Sequence, residues 1–294
     1  MTETTPAELE SEDEGSASLD PIGFVRRHPT VVLGSTLLLA IVLLAVFAPL
    51  IAPGDPEALS PIRRLRPPSA DAWFGTDMYG RDVFTRTVHG SRISLIVGSL
   101  VAFISVGFGL VIGLITGYVR AVDGVVMRIM DGLMAIPDIL LAIALMALFR
   151  ASVSNVVIAV TVPQVPRVVR LVRAVVLTIR ERPYIEAAQS IGTRFRHILM
   201  KHLLPNTIAP LIVQATYTGA AAVLTEAGLS FLGAGTPPNI PSWGNMMAEG
   251  RTYFQIAVWI VLFPGLFLAI TVLAVNLLGD GLRDALDPRL RRRL

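Results

Sequence analysis

The sequence contains no cysteine. That excludes disulfides, thiolate metal sites and a cysteine nucleophile. Histidine occurs four times, never as HExxH or in a paired spacing, so a zinc enzyme is not expected. Lysine is almost absent: Lys201 stands alone beside 24 arginines. No GxxxxGKS or GxxxxGKT run occurs, so the chain builds no phosphate-cradling loop of that kind. Charge is scarce too. Only 16% of the 294 residues are charged, where a soluble domain carries about a quarter.

What fills the space is apolar. Hydrophobic residues make up 53% of the chain, and the mean hydropathy is +0.64. This composition belongs to a membrane protein. The net charge of +3 hides an asymmetry: residues 1–20 hold seven of the 22 acids and no base, which leaves 25 bases against 15 acids in the remainder. A basic remainder points to nucleic acid or to anionic lipid. In so apolar a chain the lipid surface is the better reading, and no nucleic-acid partner is expected.

Residues 1–20 are acidic, with Ser and Gly, and read as a disordered tail. Residues 31–52 form an uncharged run of 22 residues behind Arg26, Arg27 and His28. Crossing a bilayer takes about 20 apolar residues. A signal peptide would have a shorter apolar core and no such leader, so the run is read as a retained span. Five more runs follow, at 93–119, 133–149, 153–176, 208–224 and 256–278. Gly109, Gly113 and Gly117 make two overlapping GxxxG steps, which predict close packing on another helix. Pro163 and Pro166 predict a kink in the fourth span. The expected fold is all-α and polytopic, with six transmembrane helices.

The basic residues set an orientation. With both termini inside, inner segments hold 17 Arg or Lys and outer segments hold eight. Six of those eight, Arg63, Arg64, Arg66, Arg81, Arg86 and Arg92, crowd between spans one and two against the rule. Asp77 and Asp82 lie among them, and local ion pairing is expected to compensate part of the excess. Arg167, Arg170 and Arg173 stand three apart on one helical stripe. Three arginines at the inner end of a span are expected to reach anionic lipid or the next cytoplasmic segment rather than to sense voltage. Asp138 and Glu226 lie near membrane depth, where a carboxylate is costly. Glu226 is read either as buried against a partner or lining a path, or as sitting at the interface.

The segment from Arg167 to Pro210 is too polar to span, yet it lies between two spans. Pro183 suits a first helical turn. Residues 184–191 read as a helix, and Gly192 as a turn. Residues 194–203 read as a second helix with Phe195, Ile198, Leu199 and Leu203 on one side, which Pro205 ends or bends into the next span. A short helix-turn-helix projecting into the cytoplasm, apolar and basic at once, needs a partner surface.

Its residues, EAAQSIGTRFRHILMKHLLPN from Glu186 to Asn206, resemble the EAA loop of the membrane subunits of bacterial ABC importers. Glu186, Ala187, Ala188, Gly192, Leu204 and Pro205 fall on that pattern, and His202 stands where an aliphatic residue is usual. FGTDMYGRDV, Phe74 to Val83, is similar to a signature of the C-type subunit of the peptide and nickel branch; it includes Asp77, Gly80, Arg81 and Asp82. EAGLSFLG, Glu226 to Gly233, followed by Pro241-Ser242-Trp243-Gly244, is similar to that subunit's segment after the fifth span.

The resemblance implies the transmembrane domain of a type I ABC importer, with residues 1–30 and 281–294 as cytoplasmic tails. Residues 53–92 become extracytoplasmic, and 93–280 a permease core whose coupling loop covers about 180–206. It implies a bacterial inner-membrane location and no cofactor in this chain, ATP and Mg being bound by partner ATPase subunits. The implied partners are a homologous B-type permease, two ATPases and an extracytoplasmic binding protein. The implied cargo is di- or oligopeptide, with nickel or another small solute as the alternative. A stand-alone secondary transporter or channel is the more distant one. Glu186, Ala187, Ala188, Gly192, Arg194, Phe195, Leu204 and Pro205 are the residues expected to couple to an ATPase. Glu226, Ser230, Phe231, Pro241 and Trp243 are expected at an outer gate or a binding-protein contact.

Overall fold

The computed structural model describes residues 29–286. The acidic tail, Arg26, Arg27, His28 and the basic residues from Arg289 on lie outside the described residues.

Among the described residues the architecture is helical, with two isolated β-bridges and no strand. In chain order the helices are α1 (Pro29–Val46), α2 (Ala48–Ile51), α3 (Val83–Tyr118), α4 (Arg120–Met134), α5 (Asp138–Leu148), α6 (Val153–Arg180), α7 (Pro183–Ser190), α8 (Phe195–Ile198), α9 (Leu204–Phe231), α10 (Trp243–Gly250) and α11 (Trp259–Leu286). Five helical stretches are long and apolar enough to cross a bilayer: α1, α3, α6, the run from Arg196 to Phe231, and α11.

The third expected span differs. The apolar run 133–149 forms only an 11-residue helix, α5. At 1.5 Å per residue it covers roughly 16 Å, about half of the hydrocarbon core. It joins the amphipathic α4 at a 90° bend, and counting that bent pair as one span brings the candidate crossings from five to six. Pro137 supplies the break: its ring disfavours helix at Ile136, and it then opens α5 in extended geometry.

The other departures have similar causes. The first span stops at Val46, and Pro49 lies in the first turn of the short α2. Pro163 and Pro166 are buried inside one continuous helix, α6. Pro205 does not end the helix before it. A π-helical turn, Leu199–Leu203, carries α8 into α9, and Pro205 sits in the next turn. The wider turn accommodates the missing amide and the ring, which would clash in a regular α-helix.

The centre of the bundle is α6, packed along α3 by a run of small against branched residues. A Cβ added to Gly109, Gly113 or Gly117 would stand 2.4, 2.6 and 2.6 Å from the Cβ atoms of Val168, Val172 and Val176. The expected glycine packing is therefore present, with α6 as the partner. Lipid tails are as apolar as valine, so helix association here rests on close packing rather than on expulsion of water. Gly98 performs the same office toward Val223 and Gly219 of α9, and Gly34 of α1 lies on the backbone of Ala274 and Leu278 in α11.

Gly113→Ala is predicted to destabilise the chain by about 1–3 kcal/mol, because Val172 and the Val169 carbonyl have little room to move. Gly107 on the same helix faces open space, and Gly107→Ala should be neutral or stabilising. Thermal unfolding in detergent, followed by circular dichroism, checks the contrast; equal midpoints would remove the seam from its central place.

Candidate functional site

Two regions at opposite ends of the bundle carry the expected site residues. The one expected on the inner side hangs from the ends of α3 and α6. Arg180 donates to the carbonyl of Gly117 at 3.0 Å, and Gln189 of α7 donates to the Tyr118 hydroxyl at 3.3 Å. Ile185 is fully buried and packs with Val172, Val176, Leu114 and Ile198. These contacts fix one face of α7 and leave the other to solvent. Glu186, Ala187 and Ser190 are exposed, and Ile191 is 84% exposed.

The turn after α7 is set by Gly192, whose φ is +79°. Its amide donates to the Gln189 carbonyl, and the amide of Thr193 donates to that of Ala188. That pair is a Schellman cap, which terminates a helix with a left-handed residue. No neighbour lies within 4 Å of a Cβ placed on Gly192, so the backbone conformation alone calls for glycine. Of the expected coupling residues, Glu186, Ala187, Gly192, Arg194 and Pro205 are exposed, and Ala188 and Leu204 are half-buried. Phe195 opens the next helical turn.

The other region, expected on the outer side, is built on a buried charge cluster. Asp77 Oδ2 accepts from Arg81 Nε at 2.6 Å and from Arg86 Nη1 at 2.9 Å. Glu249 of α10 faces the same two guanidinium groups, at 2.5 Å from Arg81 and 3.2 Å from Arg86. Two cations and two carboxylates thus pin the 74–83 loop and the start of α3 to α10. Asp82 behaves otherwise than expected. It caps α3, its Oδ2 accepting from the Thr85 amide and hydroxyl, and among the described residues it takes no ion pair. Arg92 is not in the cluster and lines an apolar cavity of about 720 Å³ between α1, α3, α9 and α11. The loop's Gly80 takes φ +75°.

Burial pushes the Glu249 carboxyl up to about 7, against the pull of Arg81, and Asp77 adds to the rise. Glu249 lies 168 residues from Arg81, and nothing in its own surroundings in the sequence marks it.

Beside the cluster, Glu226 is fully buried. It accepts from the hydroxyls of Ser94 and Ser230, at 3.3 and 2.9 Å. No cation stands within ion-pair distance among the described residues. Ser230, Thr236, Ser242 and Asn245 continue the network and hold the 232–242 loop, which is irregular only after Phe231. Of the expected outer contact residues, Trp243 and Pro241 are buried in this arrangement. Trp243 donates to the Thr87 carbonyl at 3.0 Å and serves as an anchor for α10. Phe231 is partly exposed, with Arg251 against its ring.

The arginine stripe also has partners inside the chain. Arg167, Arg170 and Arg173 pair with Asp138, Asp131 and Asp123 at 2.6, 2.7 and 2.5 Å. Among the described residues none of their ion pairs is with α7.

A fold of this kind is found among known proteins. Residues 105–292 match the family described as the binding-protein-dependent transport system inner membrane component. The chain belongs to that family. Residues 25–68 of the permease match the N-terminal transmembrane domain of oligopeptide transport permease C. It is 54% identical to a probable peptide ABC transporter permease of Sinorhizobium fredii, over 92% of this chain and 93% of that one. It is 43% identical to a dipeptide transport system permease of Alkalihalophilus pseudofirmus, over 91% and 88%. It is 37% identical to the oligopeptide transport system permease of Bacillus subtilis, again over 91% and 88%. A chain of the inward-facing MetNI methionine ABC transporter superposes with a TM-score of 0.53 at 23% identity, over 69% of this permease and 96% of that chain. The permease is thus a multi-pass membrane protein with the ABC importer membrane-domain fold.

The outer cluster gives a pH dependence. The native Glu249 carboxyl keeps its proton up to about 7, whereas the unfolded chain releases it near 4.5. Between those values the native state binds more protons, so stability falls as pH rises. The thermal midpoint is expected to drop from about pH 5 to about pH 8, and Glu249→Gln to flatten that drop. An unchanged slope in the variant would assign the dependence to another group.

Proposed function

We propose that this permease is the C-type subunit of an ATP-driven importer of di- and oligopeptides. It works with a second, homologous permease, two ATPase subunits that hold ATP and Mg, and an extracytoplasmic binding protein. Both termini are cytoplasmic. The exposed face of α7 carries the reading. A short helix anchored by Ile185, with Glu186, Ala187 and Ile191 turned to solvent at the end of the most buried span, is suited to dock in a cleft of another protein. The peptide named in several relatives supports the cargo.

Alternating access follows from that docking. Nucleotide draws two ATPases together, and each carries one coupling helix. The helix is packed on α6 and hydrogen-bonded to the end of α3, so its displacement tilts that pair as a body. At the outer end the Asp77–Arg81–Arg86–Glu249 cluster makes α10 move with α3. Ser230 and Glu226 join the same outer unit, as parts of a gate.

The first test is purification of the tagged chain from gently solubilised membranes. The second permease, the ATPases and the binding protein should accompany it, and the assembled complex in liposomes should take up labelled dipeptide only with ATP. The chain purifying alone, yet conducting solute, would refute the reading.

Two variants probe the coupling helix. Pro cannot adopt φ +79°, so Gly192→Pro breaks the cap; Glu186→Ala removes an exposed carboxylate while leaving the anchor. Both should insert normally yet import at least about tenfold less peptide per ATP, as for a loss of about 1.4 kcal/mol of docking. Wild-type ratios in both would take the coupling role away from α7.

A further inference from the structure

The three ion pairs between α6 and the bent α4–α5 pair are used by none of the contacts above. They run antiparallel: Arg167 meets Asp138, Arg170 meets Asp131, and Arg173 meets Asp123. Gln164, one turn further into α6, donates to Asp138 at 3.3 Å. The arginines rise about 4.5 Å per step, so the ladder is about 9 Å long on α6. The middle rung is the most open, its side chains 50% and 58% exposed. Arg167 is 46% exposed, and the rung at Arg173 is more enclosed.

Charged side chains this open, on a membrane-crossing segment, do not face hydrocarbon; they face water or protein. The helix α4 is two-sided in a way that separates the options. Val125 and Ile129, four residues apart, are 66% and 55% exposed on one stripe. Asp123 and Asp131 lie on the side turned to α6. Lipid takes the apolar stripe, and water is left with the charged side. Each rung holds both signs, so the wall presents cation and anion sites side by side. Exposed ion pairs are weak, so a rung can open to a passing charge and reclose.

We propose that this ladder is the polar wall of the inner mouth of the translocation path, and that it binds zwitterionic peptides in transit, the arginines receiving the carboxylate and the aspartates the ammonium group. The proposal rests on the peptide-cargo reading above. A two-residue extended peptide is about 7 Å long, which places its two ends between one and two steps of the ladder.

The absence of cysteine makes the test direct. Single thiols are introduced as Asp131→Cys and Arg170→Cys, with Ile129→Cys as the lipid-side control, in the complete complex with its partner permease, ATPases and binding protein. A membrane-impermeant, charged thiosulfonate is the probe, and mass spectrometry of this chain reads the label. Labelling at 131 and 170 should run about tenfold or more faster than at 129, as a wet thiol compares with a lipid-facing one. A dipeptide with free termini should slow it, and the same dipeptide acetylated and amidated should not. A water-soluble carbodiimide reads the same accessibility at Asp131 in the unsubstituted complex if a variant fails to assemble. Rates equal to the control, or equal protection by free and blocked peptide, would overturn the proposal while leaving peptide import intact. An unsubstituted complex that imports no peptide would overturn the cargo reading first, and the ladder's ligand with it.

Discussion

Everything in this permease is referred to the seam between α3 and α6. The three glycines at 109, 113 and 117 let the two backbones approach until Val168, Val172 and Val176 fill the space a side chain would need. In a bilayer no expelled water rewards helix contact, so the depth of this fit decides which helices stay together. The seam ends at Gly117 and Tyr118, and that is where Arg180 and Gln189 tie in α7. The same valines reappear in the cluster that buries Ile185. Packing that joins the spans and packing that holds the projection are therefore one continuous body, and close-packed interiors pass strain along rather than absorb it.

The outer end solves a different problem. Loops there lack the helix ladder, and every buried polar group needs a partner of its own. The charge cluster and the hydroxyl network around Glu226 divide that work. The first fixes the 74–83 loop to α10 through two arginines shared by two carboxylates. The second fixes the 232–242 loop through Ser230, Thr236, Ser242 and Asn245. Trp243 stands between them, buried and bonded to the Thr87 carbonyl.

Much of this was legible in the sequence because hydrophobic run length and glycine spacing are local signals. The spans, the glycine face of α3, the turn at Gly192 and the projecting segment all rest on a few consecutive residues. What escaped is set by distant residues or by backbone chemistry that run length ignores. Pro137 splits an apolar run into a bent pair, while Pro205 stays inside a helix that a π turn sustains. Asp77 and Asp82 look alike in sequence, yet one pairs with arginines and the other caps a helix. Glu249 joins the cluster from the far end of the chain, and the arginine stripe finds aspartates on α4 and α5. Pairings across such separations belong to the fold.

The crowd of arginines on the outer side then has a partial physical account. Arg81 and Arg86 are paired with Asp77 and with Glu249, whose carboxyl gives up its proton at about 7, so they add less charge than two free arginines to a face that the positive-inside bias is expected to keep poor in cations. Inside, Arg167, Arg170 and Arg173 are paired in the same way, with aspartates from the bent pair. Both clusters thus set arginines against carboxylates. The pairs around Asp77 are buried and lock a loop, whereas the Arg170–Asp131 pair is open and weak. Burial, not charge content, separates the two sets of pairs.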